Sequence, residues 1–118
     1  MASNTLTMTR GDTAQFKFTR LDNEGNPILT EADELYFTVK SSADNFSVEF
    51  QITLEDMNFN SQSGEYSFVV EPAMTNELNF NAKHFYDVEV IQSGVKTTIS
   101  FGQFKLLPEV TWQGNEAQ

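Results

Sequence analysis

In the stretch SVEFQITLE, Val48, Phe50, Ile52 and Leu54 alternate with Glu49, Gln51, Thr53 and Glu55. Successive side chains of a strand point to opposite faces, so this period of two predicts a strand with one dry face and one wet face. The pattern recurs along the chain. ELYFTVK places Leu35, Phe37 and Val39 on one side, and EYSFVVE does the same with Tyr66, Phe68 and Val70. HFYDVEVI sets Tyr86, Val88 and Val90 against Asp87 and Glu89. TAQFKFTR sets Ala14, Phe16 and Phe18 against Gln15, Lys17 and Thr19, and TLTMT alternates Leu6 and Met8 with threonines. No sustained 3.6-residue apolar period competes with this, so no helix longer than about two turns is expected.

The last long segment changes parity. Thr97, Ile99 and Phe101 share one face, whereas Phe104 and Leu106 occupy even positions. A strand does this only with an extra residue or a change of sheet. Gly102 lies at the switch and is the expected site of the bulge. Turn formers separate the segments: LDNEGNP, SADN and NFNSQSG. QSGV is short enough for a tight hairpin with Gly94 at positive φ. The widest gap follows Pro72 and has room for one helical turn, with Thr75 as a possible cap. The result is an all-β chain of about seven strands with at most one short helical turn. Its spacing is that of an immunoglobulin-like antiparallel β-sandwich, although a small closed barrel has the same strand count. The sandwich is expected over residues 1–112, with 113–118 as a flexible polar tail.

The chain has 118 residues and eleven Phe, enough apolar area for one core without covalent staples. It has no Cys, which excludes disulfides and thiolate metal sites. Its formal net charge is −10, which opposes binding to phosphate backbones and to anionic membranes. Neither nucleic acid nor a membrane is therefore an expected partner. No apolar run approaches a membrane helix, and MASNTLTMTR lacks the apolar stretch of a secretory signal.

Catalytic constellations are missing from the sequence. His84 is the sole His, Asp87 falls on the opposite strand face from it, and zinc needs several such ligands. His84 is expected as a partly exposed edge residue. Glu49, Glu55, Glu71 and Glu89 fall on predicted wet faces, without the burial or close like charge that a general acid needs. DNEGNP fails as a calcium loop, because counting from Asp22 puts Gly25 fourth and Asp33 twelfth. No catalytic, cofactor or metal residue is assigned. A small hydrolase would require two carboxylates facing one cleft.

Arg10-Gly11-Asp12 spells a tripeptide that some cell-surface receptors read as an adhesion signal. Chance produces it in roughly 2% of chains of this length, so the motif says little by itself. It sits between two alternating segments, where Gly11 and Asp12 supply the turn that the chain needs.

A wider resemblance runs from about Met8 to Thr111. TRGDTAQFKF, ELYFTVK, YSFVVEPAMTNEL and YDVEVIQSGVKTTISFGQFKLLPEVT resemble a family of small tailed-phage and prophage proteins from Gram-positive bacteria. They are also similar to the N-terminal domain of phage baseplate upper proteins, although those continue into a stalk and a partner-binding part. The resemblance implies a non-enzymatic virion structural or adaptor protein of the tail or baseplate, made in the host cytoplasm. Its implied partners are other virion proteins, and a homo-oligomer within a symmetric assembly is a further possibility. The acidic charge points to a basic contact surface on such a partner. A capsid decoration protein and a soluble carbohydrate- or receptor-binding domain are the alternatives. Candidate interface residues are the aromatics in loops or past the last strand: Phe46, Phe59, Phe80 and Trp112. The alternative for each is that it plugs an end of the sandwich.

Overall fold

The dry faces of the alternating segments have to meet, and in the computed structural model they meet between two sheets. It describes residues 2–41, 48–79 and 81–108. Eight strands run through these residues: β1 (Ala2–Thr9), β2 (Ala14–Thr19), β3 (Glu34–Lys40), β4 (Val48–Thr53), β5 (Asn58–Asn60), β6 (Glu65–Val70), β7 (Phe85–Gln92) and β8 (Val95–Leu107). A 3-10 turn lies at Leu54–Asp56 and a one-turn helix, α1, at Pro72–Thr75.

One sheet has the order β1-β8-β7-β3-β4 and the other β2-β6-β5. All pairings are antiparallel except β1 with β8, which is parallel. β7 and β8 are joined by a tight hairpin. Ser93 and Gly94 both have positive φ there, 53° and 80°, which is the I′ geometry that matches strand twist.

The inward residues are those the alternation marks. Leu35, Phe37, Val39, Tyr66 and Val70 have no exposed surface, and Tyr86, Val88 and Val90 are buried beside them. Phe16 and Phe18 are half-buried and pack onto this core from β2. Phe37 is the hub, with ring contacts to Phe16, Phe50, Phe68, Tyr86 and Phe104. Rings from β2 and β6 thus meet rings from β3, β4, β7 and β8 across the gap between the sheets.

Three sequence expectations are corrected here. The extra residue of β8 is not at Gly102. Val88 pairs with Ser100 and Glu89 with Thr98, which leaves Ile99 as the bulged residue. The reason is the third strand: β1 runs in unbroken parallel register with β8 from Ser100 to Leu107, so the irregularity has to fall before Ser100. Gly102 sits in regular strand opposite Tyr86, and Phe101 is turned outward at 42% exposure. Asn58–Asn60, read as part of a turn, is instead the short edge strand β5, paired with β6. Thr75 caps nothing: it ends α1, where Glu71 is the N-cap and Pro72 opens the helix.

A second bulge was not expected. Val39 pairs with Phe50 and Lys40 with Val48, so Glu49 is the extra residue on β4. The bulge turns Val48 outward, to 53% exposure, although simple alternation puts it with Phe50 and Ile52.

Candidate protein-binding surface

The Arg10-Gly11-Asp12 turn is built into the fold. Asp12 N–H donates to Thr9 O at 3.1 Å, and Gly11 has φ 82°. Arg10 is not among the positive-φ residues, so this is a type II turn with glycine where the type requires it. Gly11 N–H donates to Thr75 Oγ1 at 2.8 Å, and the Arg10 guanidinium donates through Nη1 to Leu78 O at 3.2 Å. Arg10 N–H continues the β1–β8 ladder to Leu107 O. Arg10 and Gly11 are therefore tied to the β6–β7 connection and to the end of β8, and only Asp12 of the three is fully exposed.

His84 is buried, at 3% exposure, and is not an edge residue. Its Nε2–H donates to Asn79 O at 2.8 Å, and Nδ1 meets Glu49 Oε1 at 2.5 Å. The Glu49 bulge brings this carboxylate off the wet face and onto the ring. Both ring nitrogens are occupied by acceptors, so the residue cross-links β4 to the start of β7 and turns no free lone pair toward a substrate.

Of the four candidate interface aromatics, Phe59 is half-buried, with its ring 4.6 Å from that of Tyr66, so it closes one end of the core. Phe46, Phe80 and Trp112 lie outside the described residues, as does the 113–118 tail.

Exposed apolar side chains occur in several places, Leu21, Leu29, Val69 and Val95 among them, and some lie on the outer face of the five-stranded sheet. Phe101 on β8 and Val48 on β4 are 42% and 53% exposed. Phe85 on β7 is half-buried on the same face and is not part of the core. Phe101 stands opposite Asp87, which makes Phe85 its diagonal neighbour across the ladder. Lys40 lies opposite both Phe85 and Val48 and pairs with Asp87 at 3.4 Å. Lys96 pairs with Glu89 at 3.6 Å on the same face. Sequence reasoning missed Phe101 and Val48 because each follows from a bulge that moved its parity. Phe85 was legible as the outward neighbour of Tyr86.

A cleft of about 550 Å³ borders this face, lined by Glu31, Asp33, Glu34, Tyr36, Leu54 and Glu55 among others. Asp33 is used locally, accepting Ser93 N–H at 2.8 Å and so anchoring the β7–β8 hairpin. The Tyr36 hydroxyl donates to Glu34 Oε1. That bond first, then partial desolvation and the negative charges of Glu34 and Glu89, push the Tyr36 phenol above its ordinary value. No group of three or more His, Cys, Asp or Glu is arranged to hold a metal ion among the described residues. No helix among them is long and apolar enough to cross a membrane.

No protein-family profile matches this sequence, and no curated protein matches it. Solved structures do match. One is described as the three-dimensional structure of NK cell receptor Nkp44, a triggering partner in natural cytotoxicity. It shares 11% sequence identity with this chain at a TM-score of 0.52, and the match covers 92% of this chain and 100% of the other. At that identity the likeness is one of fold: the chain is an immunoglobulin-like β-sandwich.

Proposed function

We propose that this chain is a non-enzymatic binding module of a tailed-phage particle, serving as a structural or adaptor protein of the tail or baseplate. The observation that carries the binding role is the outer face of the five-stranded sheet, where Val48, Phe85 and Phe101 are not part of the buried core. Apolar side chains grouped on a rigid sheet, rimmed by polar residues, suit contact with another protein. The phage assignment rests on the resemblance of the TRGDTAQFKF, YDVEV and GQFKLLPEVT stretches. Protein contacts, not catalysis, are the chemistry these surfaces suit: His84 is consumed in structure, and Asp33 and Glu34 are bonded to neighbouring groups. The overall charge of −10 favours a basic surface on the partner that receives the module.

Mass spectrometry of purified phage particles carrying this gene product tests the role. The protein is expected in the particle at a stoichiometry set by tail symmetry. Its absence from intact particles would overturn the reading. Its presence in tailless heads, with none in isolated tails, would replace the tail assignment with capsid decoration.

A further inference from the structure

We infer that the cleft bordering the outer sheet face receives an arginine side chain from a basic segment of the partner protein. The inference rests on the binding role proposed above and deepens it, naming the chemistry that is recognised and the groups that recognise it.

Charge selects the occupant. The cleft of about 550 Å³ is lined by four carboxylates, Glu31, Asp33, Glu34 and Glu55, and by no Lys, Arg or His. Lys40 and Lys96 on the adjoining face are paired with Asp87 and Glu89, so neither is paired with a carboxylate of the cleft. Asp33 accepts Ser93 N–H, and Glu34 accepts the Tyr36 hydroxyl. Glu31 and Glu55 are exposed and have no hydrogen-bond or ion-pair partner among the described residues. They are acceptors whose donor has to come from outside the domain. A metal ion is not that cation, because no three acidic groups are gathered to ligate one among the described residues.

The walls select an arginine. Tyr36 and Leu54 line the cleft beside the carboxylates. An arginine presents an apolar stem that can lie along such walls and a planar cation attracted to an aromatic face. Its five N–H donors serve more than one carboxylate at once. The acceptors are also held in place. Glu31 lies between two anchored neighbours: Thr30 O accepts Arg20 Nη2 at 2.6 Å, and Ala32 N–H donates to the buried Tyr66 hydroxyl at 2.9 Å. Glu55 lies in the 3-10 turn closed by Met57 N–H to Leu54 O at 3.0 Å. Binding therefore requires little ordering of the site.

The sheet supplies a second anchor. Lys40 is four residues beyond Tyr36 on β3, about 13 Å away, and its ladder neighbours are Val48 and Phe85. An extended segment lying along β3 with its arginine in the cleft would set an apolar side chain four residues away against Val48 and Phe85. Two anchors of different chemistry fix the register of such a segment.

Nuclear magnetic resonance titration of the isotope-labelled full chain with the peptide acetyl-Leu-Ser-Ser-Ser-Arg-amide is the test. Saturable shifts are expected at the amides of Tyr36, Leu54 and Glu55, with half-saturation near about 1 mM. Citrulline in place of the arginine keeps the shape and removes the charge, and is expected to weaken binding at least about fivefold. Glu31→Gln and Glu55→Gln are each expected to weaken it about two- to fivefold. Neither residue has a partner to lose, and unchanged thermal midpoints would show that both variants fold. Glu77→Gln removes the same charge next to Leu78, whose carbonyl is bonded to Arg10 at the other end of the sandwich, and should leave binding as it was. No saturable shift up to about 10 mM overturns the inference. So do shifts confined to other surfaces, a citrulline peptide that binds as tightly, or equal weakening by the Glu77 variant. An unresponsive cleft in a protein still present in purified particles would overturn this site alone. Absence from particles would overturn the phage role, whatever the peptide does.

Discussion

At Gly11 the backbone N–H donates to a hydroxyl on a residue 64 positions away, the buried Thr75. The sequence marks Gly11 and Asp12 as turn formers, but nothing in it says which group receives that N–H. Thr75→Val keeps the shape and removes the acceptor. Losing this bond at a part-buried donor costs about 1 kcal/mol, which urea denaturation of the variant should read as a lower midpoint with an unchanged slope. A fully stable variant would mean that the turn does not depend on this bond. Tyr36 gives a second test at this scale. Its hydrogen bond to Glu34 favours the protonated phenol, so the folded protein holds this proton above the ordinary value near 10. The associated stability is present below that value and is lost as pH rises through the raised one. Absorbance titration of the phenolate is expected to show Tyr36 ionising late, and Glu34→Gln should bring it down.

Strand β8 is where parity alone misled. The sequence requires one extra residue between Thr97 and Phe104, and a glycine in that interval is the obvious place for it. The position is decided by β1, whose parallel ladder demands regular backbone from Ser100 onward. Two deletions separate these readings. Removing Ile99 leaves every other side chain of β8 on its own face, at the cost of one half-buried apolar contact, about 1–2 kcal/mol. Removing Gly102 turns Phe104 and Leu106 out of the core and is expected to abolish cooperative unfolding. Circular dichroism melts of the two variants check the order, and equal damage from both would show that the bulge is misplaced. The Glu49 bulge follows the same logic. It breaks a clean alternation to give buried His84 a carboxylate partner, and only the packed structure creates the need for one.

For the whole molecule, the two sheets are held by rings and not by a covalent bridge. Antibody domains pack a Trp against a disulfide between sheets. This chain has no Cys, and Phe37 stands at the centre with five aromatic neighbours drawn from both sheets. Phe37→Ala is expected to cost about 3–5 kcal/mol, the loss of a large ring plus the cavity it leaves. Denaturant titration would read this directly. A cost below that of trimming a half-buried ring such as Phe59 would remove Phe37 from its place as hub. The same scale decides which apolar residues are available to partners. Loop position suggested Phe46, Phe59, Phe80 and Trp112, yet Phe59 closes the core while Phe101 and Val48 face solvent from within strands.

Period-two alternation, eleven Phe and glycines at turns were sufficient to determine an all-β chain and the identity of most of its core, because burial on one strand face is a local property of the chain; that the strands form two sheets and not a closed barrel is a property of the tertiary structure. The tertiary structure decided where the two extra residues fall, what Thr75 and His84 bond to, and which apolar side chains face outward. Each of these depends on a neighbour distant in sequence: a third strand for Ile99, a buried imidazole for Glu49, a remote turn for Thr75. No local pattern carries that information, since a strand's register is fixed by the strands beside it.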